Sequence, residues 1–208
     1  MRPALALILR AALSVAAVAV AATGALAQTT MAQTPPAPTA ELGPRIGTPI
    51  PHSLAAVDQS GAARDFEALT GPNGMALYFI RSVDWCPYCK NQTLTVDAAR
   101  REFEKRGVSV VFVSYDAHEV QSAFAKLRDV KVTLLSDPKS EIIDAFGLRN
   151  QTHKDGRFAG IPHPAVFYVK PDGVIAAKLY EEDYLTNDKS YRQRPEVAAV
   201  LEAIDHSR

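Results

Sequence analysis

The segment SVDWCPYCKN, Ser82 to Asn91, holds both cysteines of the 208-residue chain, Cys86 and Cys89. Two thiols with two residues between them can exchange disulfides, supply half of a metal site, or staple a turn. The staple is weak, because loop entropy gives a four-residue ring only about 2 kcal/mol, against about 4 to 5 for a loop of a hundred residues. Structural zinc needs four ligands. The five histidines, His52, His118, His153, His163 and His206, show no ligand spacing that would complete such a site. Redox chemistry is the reading that uses the spacing, and it calls for no cofactor and no metal.

The flanking residues say how the pair is held. The apolar run MALYFI, Met75 to Ile80, follows Gly71-Pro72-Asn73-Gly74 and reads as a buried strand. Pro87 suits a first helical position and Gly107 a C-terminal cap, which predicts a helix between them with Cys89, Val96, Ala99 and Phe103 near one face. Cys86 then stands where a strand gives way to a helix N-terminus, whose unpaired N–H groups and dipole favour an anion. That position predicts a depressed pKa and the nucleophilic role for Cys86. Cys89, about one turn further in, is expected to be more buried and to attack a mixed disulfide on Cys86.

Beyond the pair the pattern alternates. VSVVFVSYD is a second predicted strand, rich in β-branched residues, and VTLLSD a third. Between them His118 to Arg128 reads as a polar-faced helix carrying Val120, Phe124 and Leu127. Lys139 to Phe146 is a short helix ending at Gly147. PAVFYVKPDGVIAAKLY is a hairpin turning at Pro171-Asp172-Gly173. Pro195 opens a last helix with Val197, Val200, Leu201 and Ile204 on one face. Strand-helix alternation closing on a hairpin predicts an α/β domain with a mixed β-sheet flanked by helices.

The N-terminus bears on where the thiols work. Arg2 and Arg10 precede an apolar run that ends on Ala25-Leu26-Ala27, an A-x-A-like cleavage signature. Residues 1–27 read as a secretory signal peptide. An uncleaved anchor helix is the alternative, but the run is dominated by small residues and ends at a cleavage site. The residue directly after that site is Gln28 rather than a cysteine, which argues against a lipoprotein anchor. The expected location is a bacterial periplasm, an oxidising place where disulfides persist. Residues 28–41, with Pro35, Pro36 and Pro38, read as a flexible linker, and residues 42–208 as one domain. Removing Arg2 and Arg10 leaves 21 of the 23 basic residues against 23 acidic ones. That balance points away from nucleic acid and anionic membranes.

WCPYC resembles the active site of the thioredoxin superfamily, and its Pro-Tyr dipeptide that of glutaredoxins. The wider chain, from about Ile46 to Tyr180, resembles the alkyl hydroperoxide reductase/thiol-specific antioxidant family, the peroxiredoxin-like redoxins. The likeness rests on YFIRSVDWCPYCKNQ, LLSDPKSEIIDAFGL and GIPHPAVFYVKPDGVI. It implies a thioredoxin-like fold in a peroxiredoxin-like layout. It also implies a cis-proline facing the dithiol at Pro164, with Pro162 as the alternative register. His163 before it would tune the thiolate by hydrogen bond or charge, or else is a partly exposed loop histidine. Trp85 resembles the tryptophan beside thioredoxin cysteines and would cover one side of the site, though an aromatic there also fits a core.

The departures from the family pattern matter for the reaction. Peroxiredoxins carry a threonine or serine three residues before the peroxidatic cysteine; here that position is Val83, with Ser82 one residue off. The proline expected upstream is Phe79, and the buried proton-accepting aspartate of thioredoxin would fall on Ile80. Asp84 and Lys90 are the nearby ionisable groups, and both also read as surface charges. Arg149 and Arg157 are candidates to bind an anion near the site. No glutathione-binding double glycine is found, so glutathione specificity does not carry over.

The first reading is therefore a periplasmic thiol-disulfide oxidoreductase, with Cys86 as nucleophile, Cys89 resolving, and Trp85, His163 and Pro164 shaping the site. Its partners would be protein thiols or disulfides and a redox partner protein. The alternative is a thiol peroxidase that reduces a small hydroperoxide, with Cys86 peroxidatic. A third class is a non-catalytic binding module with the dithiol as a redox-sensitive lock.

Overall fold

The computed structural model describes residues 41–208. The segment read as a signal peptide or anchor, and nearly all of the segment read as a linker, lie outside them. Seven strands form one sheet in the order β2-β1-β5-β4-β3-β6-β7. These are β1 (Ala56–Asp58), β2 (Ala63–Arg64), β3 (Met75–Phe79), β4 (Ser109–Ser114), β5 (Thr133–Ser136), β6 (Ala165–Val169) and β7 (Ile175–Tyr180). The centre, β5-β4-β3, is parallel; the remaining pairings are antiparallel, so the sheet is mixed as the alternation predicts.

Strand β3 is covered on both faces, which is why its sequence is apolar without a break. Ala76, Tyr78 and Ile80 enter one core with Val110, Phe112, Val166 and Tyr168. Met75, Leu77 and Phe79 enter the other with Val111, Val113 and Phe167. Over the first face lie α2 (Pro87–Ala98), α3 (Arg100–Glu104), α4 (His118–Arg128) and α6 (Val197–Ser207). The second face packs α1 (Phe66–Leu69) and α5 (Glu141–Ala145). Its densest part is a ring cluster, with Phe79 4.8 Å from Phe146 and 5.8 Å from Phe167. Gly74 fixes the start of β3: its φ is +108°, and a Cβ there would collide with the carbonyl of Val169.

Two predicted helices differ in detail. The helix after the cysteines breaks at Ala99 into α2 and α3, and the break is tied from outside. The Asp97 carboxylate accepts N–H bonds from Lys131 (2.7 Å) and Val132 (2.9 Å), holding the end of α2 to the entry of β5. In α4 the buried face is Gln121, Phe124 and Ala125; Leu127 is 82% exposed and Val120 37%. Gln121 displaces those apolar residues because Nε2 donates to Ser114 Oγ and to the Leu135 carbonyl across the strand ends. The last helix keeps its predicted face, with Val200 and Ile204 buried. Among the described residues no helix is long and apolar enough to cross a membrane.

Candidate active site

Cys86 and Cys89 are joined by a disulfide, with Cα atoms 5.3 Å apart. Cys86 is the N-cap of α2 and Pro87 its first residue, as the sequence predicts. The Cys89 N–H donates to Cys86 Sγ at 3.3 Å, so a backbone donor at the helix end already faces the sulfur that would carry charge. Both cysteines are buried, at 1% and 0% exposure. The expectation that Cys89 is the more buried of the two is corrected, since Cys86 is covered to the same degree and packs into the same first core.

That loop is fixed by a residue the sequence reading did not single out. Asp116, just past β4, is buried. Its carboxylate accepts from Ser82 Oγ (2.7 Å), the Val83 N–H (2.8 Å) and Ser114 Oγ (2.7 Å). Burial pushes its carboxyl above the usual aspartate range, while those hydrogen bonds pull it back. Ser82 Oγ in turn accepts from the Asp84 N–H at 2.9 Å and the Trp85 N–H at 3.4 Å. Its hydroxyl proton is committed to Asp116, so Ser82 does not replace the hydroxyl missing at Val83.

Trp85 is half-buried and held on several sides. Its Nε1 donates to Tyr115 Oη at 2.9 Å, and Tyr115 Oη donates to the Arg157 carbonyl at 2.6 Å. Phe158 meets the indole edge to face at 4.6 Å, and the Arg81 guanidinium lies 4.8 Å from the ring. Arg81 is 6% exposed and stacks on Tyr191 at 4.1 Å, with no partner for its Nε. Tyr191 also meets Tyr88, between the cysteines, at 5.9 Å. A second arginine, Arg194, reaches the site from the segment between β7 and α6, its Nη2 3.6 Å from Cys89 Sγ. Burial and the nearby Arg81 charge lower its pKa to about 10, which leaves it cationic at neutral pH. A groove of about 460 Å³ opens between α2 and this segment, lined by Tyr88, Gln92, Arg194 and Val197 among others.

The other sequence candidates fall differently. Pro164 precedes β6, whose first residue Ala165 pairs with Phe79 at the end of β3. No peptide bond among the described residues is cis, so the expected cis-Pro164 is corrected to trans, and Pro162 is not cis either. Trans is the default for X-Pro; just before it the His163 N–H donates to the Leu148 carbonyl. His163 is 9% exposed and meets Tyr184 at 4.7 Å, so it is not the part-exposed loop histidine. Burial first, then the His153 and Arg81 charges, lower its pKa to about 4, so it brings no positive charge to the site at neutral pH. Arg149 is spent on Asp144, whereas Arg157 lies 5.8 Å from Trp85. Asp84 is exposed and Lys90 half-exposed. No group of three or more His, Cys, Asp or Glu among the described residues is placed to hold a metal ion.

The His163 environment gives a pH dependence. Unfolded, this ring titrates near 6.5; folded, at about 4. The unfolded chain binds more protons between those values, so this contribution to stability is present above pH 6.5 and is lost as pH falls toward 4, by up to about 3 kcal/mol. His163→Phe should flatten the fall of the urea midpoint between pH 7 and pH 4. An unchanged slope would remove His163 as its source.

Residues 46–178, which include both cysteines, match the family model described as the AhpC/TSA family. The chain belongs to the AhpC/TSA family. Among curated relatives of this redoxin, peroxiredoxin Q of the Sedum lineare chloroplast is 28% identical over 128 residues, 62% of this chain and 64% of that one. The 1-Cys peroxiredoxin PER1 of Zea mays is 28% identical over 120 residues, 50% and 52% of the two chains. Peroxiredoxin Bcp of Escherichia coli K12 is 24% identical over 140 residues, 67% and 83%. The redoxin thus spans between half and two thirds of the plant relatives. Peroxidoxin BcpB of Mycobacterium tuberculosis superposes with a TM-score of 0.63 at 19% identity, covering 81% of this chain and 99% of that one. Peroxiredoxin Q of Xanthomonas campestris gives 0.59 at 21% identity, covering 74% and 91%. These likenesses show the fold, which is thioredoxin-like in the peroxiredoxin layout.

Proposed function

We propose that this AhpC/TSA protein is an antioxidant thiol peroxidase working through its C-x-x-C dithiol. The observation that carries the proposal is the family match across the dithiol, with relatives named as peroxiredoxins. It supports the peroxidase alternative over general disulfide exchange. The Cys86 thiolate attacks the terminal oxygen of a hydroperoxide, the O–O bond breaks, and water or an alcohol leaves after protonation. Cys86 becomes a sulfenic acid; Cys89 attacks its sulfur, releasing water and forming the disulfide seen here. A thiol reductant then restores the dithiol. With Val83 in place of the hydroxyl residue, the polar groups facing the pair are the Cys89 N–H at Cys86 Sγ and the Arg194 guanidinium at Cys89 Sγ. One observation keeps disulfide exchange as a second reading: the Ser82 hydroxyl, next to the position where peroxiredoxins carry theirs, is held by Asp116.

Replacing Cys89 by Ser separates these readings. The peroxidase predicts a sulfenic acid on Cys86 after peroxide treatment, trapped by a 1,3-diketone reagent. Disulfide exchange predicts a mixed disulfide with a protein and no sulfenic acid. For location we infer export to the periplasm with removal of residues 1–27, on the sequence features alone. A mature chain that does not begin at Gln28, or that stays in the cytoplasm, would overturn this.

A further inference from the structure

Arg194 comes to the dithiol from beyond residue 178, where the family match ends. Two carbonyls hold its guanidinium in place: Nη1 donates to those of Tyr191 and Gln193, the latter at 2.7 Å. Nη2 faces Cys89 Sγ at 3.6 Å, and Nε is buried without a partner. Around it stand Arg81, a like charge, Glu181, which acts only through space, and Tyr191. Arg192, Glu196 and Tyr88 line the same groove. A half-buried cation so weakly compensated is stabilised by any anion that forms against it. In the disulfide neither sulfur is charged. On reduction, the sulfur beside Arg194 can be.

We propose that Arg194 is a catalytic residue for reduction of the disulfide, holding Cys89 as the thiolate leaving group. The thiolate of a dithiol reductant attacks Cys86 Sγ and the Cys86–Cys89 bond breaks. The electron pair stays on Cys89 Sγ, against the guanidinium. The reductant's second thiolate then attacks the mixed disulfide and releases Cys86 as a thiolate; the reductant is oxidised to its own disulfide. Two effects compete at Cys89. Complete burial disfavours its thiolate, whereas a cation this close lowers a thiol pKa by about 1 to 3 units. A leaving thiol of lower pKa departs faster. Arg194 thus acts on the step that returns the dithiol, distinct from the backbone donor at Cys86. The inference rests on thiol reduction of this disulfide, which both readings of the function share.

The test is a titration in which no peroxide is used. In reduced Cys86→Ser protein, the ultraviolet absorbance of the lone Cys89 thiolate is followed against pH. Cys89 is expected to titrate below the ordinary thiol value of about 8.5. Adding Arg194→Gln should raise it by at least about one unit, and adding Arg194→Lys should retain most of the depression. With both cysteines present, Arg194→Gln should slow reduction by dithiothreitol several-fold, with Arg194→Lys in between. If the glutamine variant does not fold, the lysine variant still decides: depression kept supports the charge, and a titration above the ordinary value contradicts it. A Cys89 titration unmoved by Arg194→Gln, or already above the ordinary value with Arg194 present, overturns the proposal. If peroxide fails to react but Cys89 titrates as expected, the peroxidase reading falls and the role of Arg194 stands.

Discussion

Cys86→Ser is expected to lower peroxide turnover by at least about 10³-fold while leaving the fold in place. A serine hydroxyl is not ionised at neutral pH and does not accept oxygen from a peroxide, so the covalent step has no nucleophile. The structural consequences are small. Serine is a preferred N-cap, and its hydroxyl can take the Cys89 N–H that Cys86 Sγ now accepts. The lost disulfide closes a short ring, worth at most about 2 kcal/mol. Peroxide consumption with a dithiol reductant, beside a urea melt, separates the two effects. Turnover kept in Cys86→Ser and lost in Cys89→Ser would give the attacking role to Cys89.

Asp116→Ala is expected to destabilise the protein by about 3 kcal/mol and to loosen the approach to Cys86. The carboxylate is the common acceptor for Ser82, Val83 and Ser114, all of them buried. Removing it strands the Val83 N–H and two hydroxyl donors, and a buried donor left unmade costs about 1 to 3 kcal/mol. The hydroxyls can rotate toward other acceptors; the amide cannot, so the sum stays below three full penalties. Asp116→Asn keeps one acceptor oxygen and should cost about half as much. Urea midpoints measure the stability loss. A fluorescence change at Trp85, whose N–H leans on Ser82 Oγ, reports the loop. A loss under about 1 kcal/mol for alanine would mean that the loop is held by something else.

The parts of this fold that read from the sequence are those whose signals are local. MALYFI read as a buried strand, and Pro87 after Cys86 marked the helix start that the structure shows. The hairpin was legible in Pro171-Asp172-Gly173, where Gly173 takes a φ of +82°. Strands β1 and β2, with three and two residues, are too short to show a period; β1 forms by pairing with β5 and β2 by pairing with β1. The break at Ala99 has no glycine or proline to announce it; its anchor is Asp97, bonded 34 residues away. The same distance hid the rest of the site. Asp116 and Arg194 reach the cysteine loop across separations of 34 and 105 residues, which no spacing within WCPYC encodes. Pro164 was placed by family likeness, and the trans bond shows that its backbone geometry did not follow.

The central claim, peroxide reduction at Cys86, is tested most directly by mixing the reduced protein with hydrogen peroxide in a stopped-flow instrument and following the fluorescence of Trp85. It is the sole tryptophan of the chain and adjoins Cys86, so oxidation of the pair should change its emission. The account predicts a second-order phase far faster than that of an ordinary thiol, lost in Cys86→Ser. A sluggish response to peroxide, with rapid oxidation by a disulfide-bonded protein instead, would contradict it and return the protein to thiol-disulfide exchange.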